Sequence, residues 1–317
     1  MNYYPLVTII INNYNNEKFI SEAIDSALNQ TYQNIEIIVV DDGSTDNSWN
    51  VICNYDLKIK AISKKNQGQA SAYNIGFELS KGNIICFLDS DDTFLPEKVE
   101  KVVDIFNKYS SIKWCFNNLK LVEKSTSEVL GFHRETMSRL CDFRTVIKKG
   151  KLPFYPPPSS CLCFKKELLE QILPMPITFI NTSADRYVRL LSCYLGIGFF
   201  LEDILTIQGI HDHNAATLNV EKKYLLEREI IIAYLTRIKF PELKKITNRL
   251  FAKGLVYYWK YSGKRNNTKQ YYDEYIKKYF KLASLLEILI IILMVIIYFN
   301  PFRKTYKPLS PQKSNNK

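Results

Sequence analysis

Short apolar runs alternate with amphipathic stretches through about the first ninety residues of the chain. Leu6–Ile11 is β-branched and apolar, bounded by Pro5 and Asn12-Asn13, and this pattern predicts a buried strand. Glu17–Asn29 then puts Ile20, Ala23, Ile24, Ala27 and Leu28 on one helical face. Ile35–Val40 predicts a second strand, closed by Asp41-Asp42-Gly43-Ser44. A helix at Asp46–Tyr55, a strand at Lys58–Ile62 and a helix at Gly68–Ser80 follow. A fourth strand, Asn83–Leu88, runs into Asp89-Ser90-Asp91-Asp92. Such alternation demands crossover connections, hence an α/β domain with a mostly parallel sheet flanked by helices. Ligands of such sheets sit beyond the carboxyl ends of the strands. The polar clusters Asn12–Asn16, Asp41–Ser48 and Asp89–Asp92 each follow a strand, so they are expected along one rim.

Further on, a helix is expected at Pro96–Tyr109, a strand at Lys113–Asn117, and a hairpin with a short helix within 118–150. Phe154–Pro158 reads as a stiff loop into a strand at Ser159–Phe164, followed by a helix at Ala184–Leu195. A strand or hairpin at Phe199–Ile210 ends at His211-Asp212-His213-Asn214. From Glu221 the texture turns basic, aromatic and helical, at Lys222–Thr236 and Ile246–Tyr261. Leu282–Phe299 is an apolar stretch interrupted only by Ser284 and Glu287, with lysines and an arginine on both sides. As one helix it would be about 27 Å long, just enough to cross a thin hydrocarbon core. Three readings stand: a spanning helix, favoured here, an in-plane interfacial helix, or a buried helix or oligomer contact.

Charge sharpens this division. The net charge of +11 is uneven: residues 221–317 hold 21 Lys+Arg and 7 Asp+Glu, leaving 22 and 25 in the first 220. The first two-thirds are therefore near neutral, and the surplus points to an anionic partner of the last third. A nucleic acid is one such partner, with Tyr257, Tyr258, Trp259, Tyr271 and Tyr272 as stacking groups. The apolar segment beside them favours lipid, so a membrane surface is expected and no nucleic acid. Seven cysteines without a CxxC pair fit buried free thiols in a reducing, cytoplasmic setting. Cys161 and Cys163 are expected on one face of a strand. The N-terminus lacks the pattern of a signal peptide. No glycine-rich phosphate cradle is present, which argues against a dinucleotide-binding dehydrogenase.

The acidic strand ends carry the chemistry. In extended backbone Asp89 and Asp91 would point to the same side and share a divalent cation, Mn²⁺ or Mg²⁺, whose remaining positions a diphosphate fills. An apolar strand ending in three carboxylates is costly unless something positive sits there. The run Val7–Asn15, then Ile24–Ser26 and Leu28–Tyr32, Glu36–Asp46, Asn66-Gln67-Gly68, Asn74, Gly76 and Phe87–Asp92 together resemble the family-2 glycosyltransferases, nucleotide-diphospho-sugar transferases of the GT-A fold. The likeness is dense over about the first 110 residues and thinner to about Asn214.

That resemblance implies a UDP-, GDP- or dTDP-sugar donor, with Asn12, Asp41, Asp42, Asn66, Gly68 and Asp89 around its nucleotide. A turn or N-cap role for Asp41 stays open beside this. It also implies Asp91, Asp89 and His211 as metal ligands. The general base of an inverting transfer would be Asp185, with Ala184 where a Glu is usual; a first-turn helix residue is the alternative. Gly209 stands where an Arg is usual, so a lysine from elsewhere would have to meet the phosphates. The expected layout is a GT-A domain over 1–219, a basic helical extension over 220–281, the apolar helix 282–299 and a basic tail 300–317. The expected acceptor is a cell-surface glycan or lipid-linked glycan at the cytoplasmic face of the membrane. A catalytically dead scaffold is the other class of reading.

Overall fold

A computed structural model describes residues 4–133, 137–152, 157–178, 184–212, 228–261 and 266–299. Its elements in chain order are β1 (Val7–Asn13), α1 (Ile20–Leu28), β2 (Ile35–Asp41), α2 (Ser48–Cys53), β3 (Lys60–Ser63), α3 (Gln69–Leu79) and β4 (Ile84–Asp89). Then come β5 (Thr93–Phe94), α4 (Lys98–Lys108), β6 (Trp114–Glu123), β7 (Val129–His133), β8 (Arg139–Cys141) and α5 (Arg144–Lys148). The rest are β9 (Leu162–Lys165), α6 (Lys166–Leu169), α7 (Ala184–Leu195), β10 (Gly198–Ile210), α8 (Glu229–Lys239), α9 (Lys244–Tyr261), α10 (Asn266–Leu282) and α11 (Leu285–Phe299). These residues fall into two compact units, one from the stretches up to Asp142 and from Pro157 to His211, the other from Phe143 to Leu152 and from Arg228 onward. The boundary expected at 219 lies outside the described residues.

The first unit is an α/β sheet in the order β3-β2-β1-β4-β9-β6-β10-β5, with β7 on β6 and β8 on β10. Its first four strands are parallel, as the crossovers require. Beyond them β9 runs antiparallel to both β4 and β6, so the sheet is mixed rather than mostly parallel. The period-2 alternation assigns the two faces. Ile9 and Ile11 of β1, Ile37 and Val39 of β2, and Cys86 and Leu88 of β4 form one core with α1 and α4. On the other face Ile38 and Val40 meet Ala72 of α3, and Tyr73 stacks on Phe87 with ring centroids 4.1 Å apart. Gly76 is required there, because an added Cβ would lie 2.5 Å from Ile10 Cγ2.

Two local expectations change. Ser159–Cys161 is a short 3₁₀ turn and only then does β9 begin, so Cys161 and Cys163 do not share a strand face. Both are buried free thiols, as are four of the other five cysteines, Cys53 being exposed.

The second unit is helical. Phe251 stacks on Tyr279 at 3.9 Å, and the Tyr279 hydroxyl donates to Asn248 Oδ1 at 2.8 Å. The apolar stretch expected as one helix over 282–299 is two helices in part. α10 ends at Leu282 and α11 starts at Leu285, leaving 15 residues, about 22 Å at 1.5 Å each. Among the described residues no helix is long and apolar enough to cross a membrane. The break is a capping box: Ser284 N–H donates to Glu287 Oε2 at 3.0 Å, and Glu287 N–H to Ser284 Oγ at 3.3 Å.

Candidate active site

The strand order turns at β1, whose neighbours β2 and β4 connect away in opposite directions, and ligands bind at such switch points. Asn12, at the carboxyl end of β1, pairs in register with Val40 on one side and Asp89 on the other. Alternation puts Asn12 and Asp89 on the α3 face. The Asn12 side chain hydrogen-bonds the Asp89 carboxylate, while its Oδ1 is buried without a hydrogen-bond partner among the described residues. A buried acceptor left unpaired at a switch point is a candidate ligand contact.

The two aspartates at the carboxyl end of β2 divide their work. Asp41 accepts from Asn13 Nδ2 at 2.8 Å, Ser44 N–H at 3.1 Å and Ser44 Oγ at 2.5 Å, so its oxygens hold the turn. Asp42 pairs with Lys64 and accepts from the Gln67 N–H at 2.9 Å and the Gly68 N–H at 2.7 Å. It thereby pins the Asn66-Gln67-Gly68 loop to the sheet rim. Gly43 permits this closeness: at φ 72° it tolerates the left-handed turn, and a Cβ there would meet Asn66 N at 2.7 Å. Asn66 itself is exposed on that loop.

Asp89 closes β4, and the chain then turns at once, with Asp92 N–H donating to Asp89 O at 3.0 Å. Asp89 and Asp91 are thus not neighbours on one extended face, because the backbone between them is a turn. Asp89 is held by the Ser159 hydroxyl and by Gln69 Nε2 at 3.2 Å. Ser160 ties the turn together: its Oγ accepts from Asp89 N–H at 3.0 Å and donates to Asp92 Oδ2 at 2.6 Å. Asp92 also accepts from Gly209 N–H at 3.0 Å, joining the turn after β4 to β10. Beneath, the buried Lys98 ammonium donates to Ser160 O and to Thr206 Oγ1 at 3.0 Å and lies over the Phe94 ring.

Asp91 leaves the turn toward His211, whose Nε2 is 3.3 Å from Asp91 Oδ2. The imidazole is set by stacking on Phe19, centroids 4.4 Å apart. Burial, then the charge of Asp91, push the Asp89 carboxyl up to about 7, with a contribution from Asp185. Burial likewise raises Asp92, with Asp91 and Asp89 adding to it. Three carboxylates ionised together are therefore disfavoured here, a repulsion that a bound cation would relieve. Asp185, in the first turn of α7, pairs with Arg189 at 3.0 Å. Thr182, Ser183, His213 and Asn214 lie outside the described residues.

Among the described residues no three His, Cys, Asp or Glu groups converge as a ready metal cage. Asp91 and His211 nonetheless offer an oxygen and a nitrogen donor side by side. That donor pair fits Mn²⁺ or Mg²⁺ with its other positions filled by a diphosphate and water.

Gly209 leaves room for a lysine side chain. A Cβ there would lie 2.2 Å from both Asp91 O and Lys124 Cε, so the Lys124 chain fills the space. Its ammonium pairs with Glu22 and lies 5.3 Å from the Phe19 ring centre, beside the ring on which His211 stacks. Lys124, Lys64, Phe19, Ser159 and Ser160 were not marked as site residues by sequence. No spacing pattern links them to the acidic motifs, and only the fold brings them there.

The sequence profile of Glycosyl transferase family 2 matches residues 8–171. An uncharacterized glycosyltransferase of Nostoc sp. is 33% identical over 66% of this chain and 66% of its own length. An uncharacterized glycosyltransferase of Rickettsia prowazekii is 48% identical over 33% of each chain. The chain thus spans about two-thirds of one of these relatives and a third of the other. The crystal structure of S. aureus TarS 1-349 in complex with UDP-GlcNAc superposes with a TM-score of 0.62 over 92% of this chain and 89% of that one, at 16% identity. The mannosyltransferase PcManGT from Pyrobaculum calidifontis, in complex with GDP-Man and Mn²⁺, does so with a TM-score of 0.52, covering 94% and 87%, also at 16% identity. Fold and family agree: the chain is a transferase with a GT-A-like fold and belongs to glycosyl transferase family 2.

Proposed function

We propose that this glycosyltransferase moves a sugar from a nucleoside-diphosphate donor to an acceptor hydroxyl with inversion, using a divalent cation. The observation that carries the reading is the convergence of Asn12, Asp89, Asp91 and His211 at the β1/β4 switch point, a buried acidic cluster calling for a cation. The nucleotide sugars in the two superposed structures, and the Mn²⁺ in one of them, support it.

In this reading Asn12 and the loop pinned by Asp42 receive the nucleotide, while Asp91 and His211 hold the cation. When bound, that cation neutralises charge developing on the diphosphate. The acceptor oxygen attacks the anomeric carbon and the bond to the diphosphate oxygen breaks. The acceptor proton passes to the Asp185 carboxylate, and the nucleoside diphosphate departs with the bonding pair. Arg189 holds Asp185 in place at the helix start. Lys124, beside the Phe19 ring on which His211 stacks, would supply positive charge to the departing diphosphate. The acceptor is proposed to be a glycan or lipid-linked glycan at the cytoplasmic face of the membrane, in keeping with the basic, apolar last third.

Calorimetric titration with UDP, GDP and dTDP, with and without Mn²⁺, tests this. One nucleotide should bind in a metal-dependent way, and Asp91→Ala should abolish that dependence. No binding of any of them by folded protein would overturn the reading.

A further inference from the structure

α11 has two unlike halves. Ile291 and Val295 are buried, and Glu287 on the same side pairs with Arg237 of α8 at 2.8 Å. Asn248 of α9 donates to the same carboxylate at 3.4 Å. The opposite half is apolar and open: Leu285 is 83% exposed, Leu286 67%, Leu289 64%, Leu293 58% and Ile296 63%. At 100° per residue the exposed positions sweep about half of the helix circumference. A continuous apolar surface of this kind on a soluble face marks a binding site.

What lies at its ends identifies the occupant. At the start, Lys277 and Lys281 are exposed in the last turns of α10. At the finish, Lys260 lies over the Phe299 ring at 4.9 Å, and the neighbouring Trp259 is 54% exposed. Basic side chains at both ends, a tryptophan beside one, and an uncharged apolar face between match the layers of an anionic bilayer surface. A second copy of the same basic unit would instead bring like charges together.

We propose that α11 docks in the plane of an anionic membrane, its open half sunk among the acyl chains and its Glu287 side clamped to α8 and α9. The helix neither spans nor floats free. The inference adds the surface and mode of attachment to the proposed location and does not depend on the donor chemistry.

Co-sedimentation of the full chain with vesicles tests it. Vesicles of phosphatidylcholine with about one-third phosphatidylglycerol should bind the chain, and pure phosphatidylcholine far less. Leu289→Asp with Leu293→Asp should weaken that binding at least about tenfold, since two buried side chains leave the lipid. Lys277→Glu with Lys281→Glu should weaken it and flatten its salt dependence. A Leu289→Trp probe, read against the parent, should be quenched by shallow rather than deep spin-labelled lipid. Four results would overturn the proposal: no vesicle binding at low salt, binding unchanged in the Asp variant, deep quenching, or a dimer in light scattering that the Asp variant dissolves without vesicle binding. UDP titration of the same Asp variant should match the parent. Loss of lipid binding alone leaves the donor-site reading standing, and loss of nucleotide binding by the parent leaves this one standing.

Discussion

At the residue scale, two lysines invisible to motif reading pack against the acidic rim. Lys124 fills the space left open at Gly209, and its side chain is 14% exposed. Lys124→Met should lower kcat/KM for transfer by about ten- to a hundredfold, as losing one charge-stabilising donor does, while leaving Tm nearly unchanged. Glu22→Gln, which removes only the surface partner, should leave transfer close to the parent, and that contrast separates a phosphate role from a packing role. Lys98 acts from below. Its ammonium holds the carbonyl of Ser160, whose hydroxyl orders Asp92 and the backbone of Asp89. Lys98→Met deletes a buried charged donor and should destabilise the first unit by about 1–3 kcal/mol in urea unfolding. Neither lysine was legible in sequence, because Lys124 reaches Gly209, and Lys98 reaches Ser160 and Thr206, only through the fold. The aspartates were legible, since each ends an apolar run that can only be a strand. Which of Asp41 and Asp42 faces the loop was not, because it depends on whether Ser44 or the Gly68 amide claims the carboxylate.

At the element scale, the joint between α10 and α11 shows what periodicity leaves out. The apolar run was read as one helix because it holds no proline or glycine. Ser284-Leu-Leu-Glu287 nonetheless writes a capping box, a start signal in mid-run, so the break was legible in a motif although not in hydropathy. β1, β2 and β4 needed no such care, since apolar runs bounded by asparagines and aspartates leave little choice. β9 was harder to read: nothing local tells a strand whether it will pair parallel or antiparallel, and its 3₁₀ entry follows from Ser159 and Ser160 turning to the acidic rim. The capping box also makes a prediction. Burial raises the Glu287 carboxyl, but the Ser284 N–H and hydroxyl and the Arg237 guanidinium outweigh it and hold the group down at about 2. Its ordinary unfolded value is about 4.3. A carboxylate lowered on folding stabilises above its unfolded value and loses that contribution as pH falls toward the folded one. Urea unfolding of the helical unit should thus weaken between about pH 5 and pH 2, and Glu287→Gln should flatten that slope.

At the scale of the whole molecule, charge and chemistry are divided along the chain. The near-neutral first two-thirds carry the acidic rim, and the basic last third carries the lysines and the open apolar helix. The proposed cation-dependent donor site lies in the first part, where local carboxylates rather than net charge would set its affinity. The proposed bilayer-facing surface lies in the second, where summed positive charge counts. Heating should expose this division. Ligand that binds only folded protein stabilises by about 2.7 kcal/mol at a hundred times its Kd. For a unit of this size that is a rise of roughly 5–10 °C. Calorimetry with Mn²⁺ and UDP, or whichever of the three nucleotides binds, should move the transition of the unit holding β1–β4 by that amount. The transition of the helical unit should stay where it is. Asp91→Ala should remove the shift that depends on Mn²⁺. Unshifted transitions at saturating nucleotide would place the acidic cluster outside donor binding, whereas equal movement of both would show that the two units melt as one.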